Sequence, residues 1–424
     1  MMMWKKLLSG AVALTMVTGM LALTGCGKEN KEQAGGAGGK QKIVFASNRT
    51  DYVNNVFVDY VKEFNEKYPD IEVVVDVQKD YDQALKIKLS SNDVPDVWTM
   101  FVNTMTQQQF MDANLPLNDH ALFDKFEFTN AFEGTDGKCY GLVQGVALGG
   151  VLGYNKAIFR ELNLEVPQTL DELIAAGKKI KESGRVGLAT SAKAQWPLMS
   201  YEVYTPMYLS KNADILNSVS GTANPFTVES PFGQSFLLLK QLADEKILED
   251  DPLSADWEPF KKDFRDGKIG MFYMDGTIAP QVVSDKVPAE DIGIAPFPFD
   301  NNKDNRYIVY KPETALGISK SSKNPEAAMA FFNFMMDTKY IDYVERNSLL
   351  SARTDMQANV PFFADLDNYT FEKMETPPKT EETNQIVSKG QVDFSAKLQE
   401  VLTGRKVEDI LGDLNSAWTK GQNK

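Results

Sequence analysis

A serine or cysteine nucleophile needs a base beside it, and His120 is the chain's only imidazole. It stands in Asn118-Asp119-His120-Ala121, a polar turn ahead of a helix-like stretch, which suits a surface or capping role. Cys26 and Cys139 are the only thiols, too few with one histidine for the common zinc, haem or disulfide frameworks. Cys139 reads as a small buried hydrophobe. There is no P-loop, no glycine fingerprint after a strand and no HExxH, so neither cofactor nor resident metal is expected. Asp136-Gly137 and Asp275-Gly276 are turn signals without EF-hand spacing. What remains is hydrogen bonding. Asn48, Arg49 and Asp51 follow one strand-like run, Trp98 to Asn103 closes another, and Asp275 follows a third. Two carboxylates about 5–9.5 Å apart suffice for glycoside hydrolysis, and 59 acidic residues leave that reading open.

Those groups need elements to hold them. Ile43 to Ala46 is a short apolar run. Phe57, Tyr60, Phe64 and Tyr68 recur at helical spacing and predict a helix over 55–68, stopped by Pro69-Asp70. Ile71 to Val77 predicts a strand with one stronger apolar face. A βαβ opening argues for a parallel sheet covered by helices, an α/β fold. A helix over 82–89 and a strand over 94–101 follow. Val151–Tyr154, Gly187–Thr190, Ile269–Met274 and Ile292–Pro296 read as further strands. Thr169 and Glu172 predict a capping box for a helix over 169–180, and 236–248 reads as another helix. Asn324-Pro325-Glu326 predicts a helix start with Asn324 as N-cap. Val407, Ile410, Leu411, Leu414 and Trp418 form the stripe of a final amphipathic helix.

The chain begins with Lys5 and Lys6, an uncharged run from Leu7 to Gly25, and Cys26, the form of a secretory signal. Nineteen uncharged residues would also just span a bilayer. Leu23-Thr24-Gly25-Cys26 resembles the bacterial lipoprotein lipobox, which implies cleavage before Cys26 and lipidation of its thiol. Residues 27–40 read as a flexible leash. With 424 residues and a net charge of −14, the chain is long enough for two or three domains and poorly suited to a nucleic-acid partner. Such a charge also repels anionic headgroups, so the lipid rather than a basic patch must hold it to a membrane.

Five segments together resemble extracellular solute-binding proteins of family 1, the receptors of sugar-importing ABC transporters. They are Asp136-Gly137-Lys138-Cys139-Tyr140-Gly141-Leu142; Tyr154 to Phe159 with Pro167 to Leu173; Phe264 with Gly267 to Met271 and Asp275-Gly276; Ile318 to Ala328; and Leu398 to Gly404. The likeness runs from about residue 41 to 420. It implies a two-lobed periplasmic-binding-protein-like fold with hinge crossovers. Residues 41–146 plus 298–330 would form the first lobe and 147–297 plus 331–424 the second. The crossovers would fall at Gln144–Gly150, at Ala295–Phe299, and in or before the 325–336 helix. Gly145, Gly149 and Gly150 are candidate hinges, or else plain loop glycines.

The resemblance further implies a non-enzymatic, monomeric receptor for a sugar or oligosaccharide, working with ABC permease subunits. It would sit on the outer face of the cytoplasmic membrane, in the periplasm if the cell has two membranes. A polyol or sugar phosphate binder of the same fold, or an exported glycan hydrolase, are the alternatives. Sugars need paired donors and acceptors for hydroxyls and aromatic rings for C–H faces. Ligands in open α/β sheets lie beyond the carboxyl ends of strands. The candidate ligand-binding residues are therefore Asn48, Asp51, Asn103, Gln144 and Asp275, Arg49 as a contact or a solvated surface charge, and Trp98, Trp196, Tyr201 and Trp257 as cleft aromatics or core. Two departures from the family pattern bear on the ligand. Ile278 stands where a tryptophan is usual, and Glu313 is either a new hydrogen-bond acceptor or a loop charge.

Overall fold

The computed structural model describes residues 40–423 apart from 79, 80, 103, 104 and 313. The signal segment, Cys26, the leash, Asn103 and Glu313 lie outside the described residues. The strands in chain order are β1 (Gln41–Ser47), β2 (Ile71–Val77), β3 (Val97–Phe101), β4 (Leu142–Val143), β5 (Ala147–Gly149), β6 (Val151–Asn155), β7 (Val186–Ala189), β8 (Ile269–Met274), β9 (Ile292–Pro296), β10 (Tyr307–Lys311), β11 (Thr314–Ile318) and β12 (Glu372–Glu375). They form three sheets, ordered β2-β1-β3-β11-β4, β12-β10-β5 and β7-β8-β6-β9.

The first sheet grows from the expected βαβ unit. β1 pairs in parallel with β2 and β3, and the helix Val56–Lys67 crosses between β1 and β2 with Phe57, Tyr60 and Phe64 buried. β3 starts at Val97 rather than at Val94, because Pro95 has no N–H for a ladder. β11 returns antiparallel between β3 and β4. Around this sheet one core gathers Phe45, Trp98, Leu142 and Leu316, together with Phe331, Tyr340 and Val344 of the late helices.

The third sheet is covered on both faces, and its side chains alternate as strand geometry requires. Met271 and Tyr273 of β8 join one core with Leu152, Tyr204 and Trp418, while Phe272 and Met274 join another with Val151 and Ile294. The final helix, Val407–Gln422, buries the predicted stripe. Caps are less literal. Thr169 Oγ1 accepts from Glu172 N at 3.2 Å, but the Glu172 carboxylate takes the N–H of Gln168. Asn324 caps nothing with its side chain and instead donates to the Lys42 carbonyl. Thr106 and Gln109 form the reciprocal box that was expected at Thr169.

The middle sheet carries the chain between the two large ones. From β4 the chain runs through Gly145 to β5, which pairs with β10, and then through Gly150 to β6. This is where the first crossover was expected. The others differ. β10 still packs in the second lobe, through Tyr307, Ile308 and Val309, so the return passes between Lys311 and Thr314 and not at 295–299. The helices over 325–346 pack on the first core through Phe331, Phe332, Tyr340 and Val344, as does Ala352, and Thr354 still donates to the Lys125 carbonyl, so the last passage falls between Thr354 and Val360, which packs in the second lobe. By core membership, residues 331–352 go with the first lobe and 297–311 with the second, a division that differs from the expected one at both places.

A candidate cleft between the lobes

A cavity of about 890 Å³ is lined by residues from elements that pack on both sides of the crossover. Its first wall is the loop beyond the carboxyl end of β1, with Asn48, Arg49, Asp51 and Tyr52. β1 must stop there because Ser47, Asn48 and Arg49 turn, with Thr50 N donating to the Asn48 carbonyl. The Arg49 guanidinium lies 3.8 Å over the Tyr52 ring and makes a two-pronged ion pair with Asp51, at 2.9 and 2.6 Å. Burial opposes the Arg49 charge, but the Asp51 hydrogen bond and the neighbouring Tyr343, Tyr52 and Asp51 outweigh it, so its pKa is raised. Burial would push the Asp51 carboxyl up, yet the hydrogen bond and charge of Arg49 hold it below its ordinary value.

The facing wall is the helix Trp257–Arg265, started by Asp256, whose carboxylate accepts from Trp257 N. Trp257, Lys261 and Arg265 are four residues apart and share one face toward the cavity. Trp257 stacks on Phe260 at 5.2 Å and meets the edge of Trp196 at 4.7 Å; Trp196 is 42% exposed. Lys261 pairs with Glu258, and Arg265 donates to the Gln281 carbonyl. The end of the helix Tyr340–Arg346 supplies Tyr343 and Arg346, the latter paired with Asp342.

The floor is the crossover itself, with Gly145, Ala147, Lys311 and Thr314. Lys311 donates to Asp275 Oδ2 at 2.7 Å, and this pair is buried, with side chains 4% and 10% exposed. The second oxygen, Asp275 Oδ1, has no partner among the described residues, and neither has Gln144 Oε1 beside Gly145. Buried acceptors of this kind are normally satisfied; both residues lie beneath the floor and neither lines the cavity itself.

The structure thus brings Asn48, Arg49, Asp51 and Trp257 to one cavity, with Gln144 and Asp275 beneath its floor. Trp98 and Tyr201 are elsewhere. Trp98 is fully buried in the first core opposite Gly317, and Tyr201 is buried edge-on against Tyr273; neither lines the cavity. Trp98 stands in an apolar strand where packing claims the ring, and Tyr201 is claimed by the second core. Trp196 touches Trp257 but lines an adjoining cavity. Among the proposed hinges, Gly145 has φ +138° and lines the floor, whereas Gly150 has φ +66° and would press a side chain onto Tyr204 and Tyr208. Gly149 likewise leaves no room beside Tyr204. Ile278, in the position where tryptophan is usual, is buried in the second lobe.

Sequence reasoning missed Lys311, Lys261, Arg265, Tyr343 and Arg346. Extending the helical face from Trp257 by four and eight residues finds Lys261 and Arg265. Nothing local marks Tyr343 or Arg346. His120 is not in the cavity: its Nδ1 accepts from Leu122 N and its Nε2 donates to Asn333 Oδ1, pinning one turn to the helix Pro325–Asn333. No group of three or more His, Cys, Asp or Glu side chains able to hold a metal ion occurs among the described residues. No helix among them is long and apolar enough to cross a membrane.

The family model for bacterial extracellular solute-binding proteins matches residues 47–341. The chain is 23% identical over 376 residues to the melibiose/raffinose/stachyose-binding protein MelE of Bacillus subtilis strain 168, covering 84% of each chain. It is 24% identical over 340 residues to the multiple sugar-binding protein of Streptococcus mutans serotype c, covering 78% of each. Its fold is similar to a mannobiose-bound binding protein of an ABC transporter from Bifidobacterium animalis subsp. lactis, with TM-score 0.76 and 22% identity over 90% of this chain and 95% of that one.

Proposed function

The chain belongs to the bacterial extracellular solute-binding proteins, and from that premise we propose that it captures a sugar or oligosaccharide outside the cytoplasmic membrane and presents it to an ABC importer. It acts without changing its ligand, as a monomer held by lipid on Cys26.

The observation that carries this reading is the cleft between the lobes. It combines the half-buried Trp257 ring and the Tyr52 ring beneath Arg49 with charged donors, and behind it lie two buried acceptors, Asp275 Oδ1 and Gln144 Oε1, without partners among the described residues. Rings suit the C–H faces of a pyranose, and the acceptors suit its hydroxyl hydrogens. A ligand lacking one of those hydroxyls leaves a buried group unpaired, at about 1–3 kcal/mol, which is how the site would discriminate. The lobes close on the ligand because it contacts both walls only in the shut form, shifting the population toward that form.

Binding fits Asp51, the carboxylate paired with Arg49 in the cleft, better than turnover does. A general acid needs a raised pKa, whereas Asp51 is ion-paired and held low. Isothermal calorimetry of a soluble chain starting after Cys26, against a panel of neutral mono- and oligosaccharides, tests the reading. Saturable binding to at least one carbohydrate is expected, with the sugar recovered intact. Silence across the panel, or release of reducing ends, overturns it.

A second reading has its own support. Five cationic side chains, Arg49, Lys261, Arg265, Lys311 and Arg346, line the cavity against two carboxylates, Asp51 and Glu258, in a chain whose net charge is −14. A sugar phosphate would profit from that local excess. Binding to a sugar phosphate that collapses with added salt, beside indifference to neutral sugars, would favour it.

A further inference from the structure

A second cavity, of about 330 Å³, adjoins the cleft within the second lobe. Two features join them. Lys311 lines both, and Trp196 of the second cavity is in edge contact with Trp257 of the first. Their walls differ in kind. The cleft is lined by charges and polar groups, whereas the second cavity is walled by Met199, Val203, Met207, Leu216, Phe232 and Phe394.

Asp214, Asn217, Lys311 and Lys379 also reach its edge, but apolar atoms make up the larger share of the wall. The Glu202 carboxylate already accepts from Ser395 Oγ at 2.8 Å, and burial pushes its pKa up. Thr376 Oγ1 is buried with no partner among the described residues. A sugar ring carries hydroxyls on every side and would leave most of them unpaired against such walls. An apolar group gains by entering. The volume is adequate, since a cavity of about 150 Å³ already takes benzene.

We propose that this second cavity is the seat of an apolar appendage, an aryl or acyl group, carried by a sugar whose ring lies in the adjoining cleft. This rests on the sugar-binding reading above and deepens it to a substrate class, the substituted glycoside. The Trp196–Trp257 edge forms the sill over which the linkage passes. Thr376 Oγ1 offers a hydrogen to a carbonyl, which an ester-linked acyl group supplies and an aryl ether does not.

Calorimetry with matched probes tests it: methyl and phenyl glycosides of galactose, glucose and mannose in both anomers, and the 6-O-benzoates of the methyl glycosides. For whichever sugars bind, a phenyl glycoside or a benzoate should bind at least tenfold more tightly than its methyl counterpart. Ala213→Phe, which fills the cavity from its rim, should erase that preference and leave the methyl glycoside unchanged. Leu216→Phe repeats the comparison should Ala213→Phe fail to melt cooperatively. Thr376→Val should weaken the benzoate alone if the occupant is an acyl group, and neither probe if it is aryl. Equal affinity for methyl, phenyl and benzoyl probes overturns the proposal and leaves the sugar-binding reading standing. A preference that survives both filling variants also overturns it. If no glycoside of any kind binds, the sugar-binding reading itself has failed.

Discussion

Asp275 and Lys311 form a buried ion pair on the floor of the cleft, and the consequence for stability is asymmetric. Removing one partner leaves a charge in a poorly solvated place. Asp275→Ala should cost about 3–5 kcal/mol in urea unfolding. Adding Lys311→Met to it should recover most of the loss, because an apolar pair avoids the desolvation. Both variants should lose sugar affinity together, which separates the pair's role in folding from its role in binding. His120 makes a sharper prediction. Burial lowers its pKa against the pull of the Asn333 hydrogen bond, and its Nδ1 can accept from Leu122 only while unprotonated. The native state therefore binds fewer protons than the unfolded one. Its contribution to stability is full above the unfolded value near 6.5 and is lost as pH falls through the lower folded value. One imidazole in the chain makes this readable by NMR: a single resonance should titrate below 6.5, and a normal or raised midpoint would contradict the hydrogen-bond assignment. Burial also pushes the Cys139 thiol to about 11, so a soluble form lacking Cys26 should resist thiol reagents at pH 8 until unfolded. The bland sequence readings of His120 and Cys139 agree with their surroundings, since each sits where local pattern already speaks.

Elements were legible where they carried their own signal. The βαβ opening, β8, β9 and the final stripe were readable because alternation and helical spacing are local. Thr169 caps its helix as expected, but the Glu172 and Asn324 side chains went to other partners, because capping depends on which donor lies nearest. Thr106 and Gln109 have the right geometry at the helix Gln107–Ala113, so Thr106→Ala should cost about 1 kcal/mol, measured by thermal melting, while Asn324→Ala should act through the lost bond to Lys42. The site was half legible for a related reason. Residues beyond strand ends, such as Asn48 to Asp51, follow from topology, but whether an aromatic faces the cleft or the core depends on partners far away in the chain. Trp98 and Trp257 are equally aromatic in the sequence; only the first core packed around Trp98 takes its ring inside. The glycines repeat the lesson. Gly150→Ala should destabilise by more than 1 kcal/mol, because it meets both a left-handed φ and the Tyr204 and Tyr208 rings.

At the scale of the whole molecule, family membership made the two-lobed plan expected, while the lobe boundaries needed the packed cores. The helices over 325–346 look alike in sequence whichever lobe they serve, and only Phe331, Tyr340 and Val344 reaching the first core decides between them. Two measurements follow at this scale. Small-angle scattering should show a smaller radius of gyration with a bound sugar than without one, and no change would argue against closure. Expressed in its cell, Cys26→Ser should leave the membrane fraction for the medium or periplasm.

The shortest of the passages sets a mechanical limit. β10 ends at Lys311 and β11 begins at Thr314, so this strap reaches at most about 10 Å, and Pro312 stiffens it further. The halves can swivel on so short a tether but cannot drift apart. If the proposed capture holds, a bound sugar would leave by a twist of the halves and not by their parting.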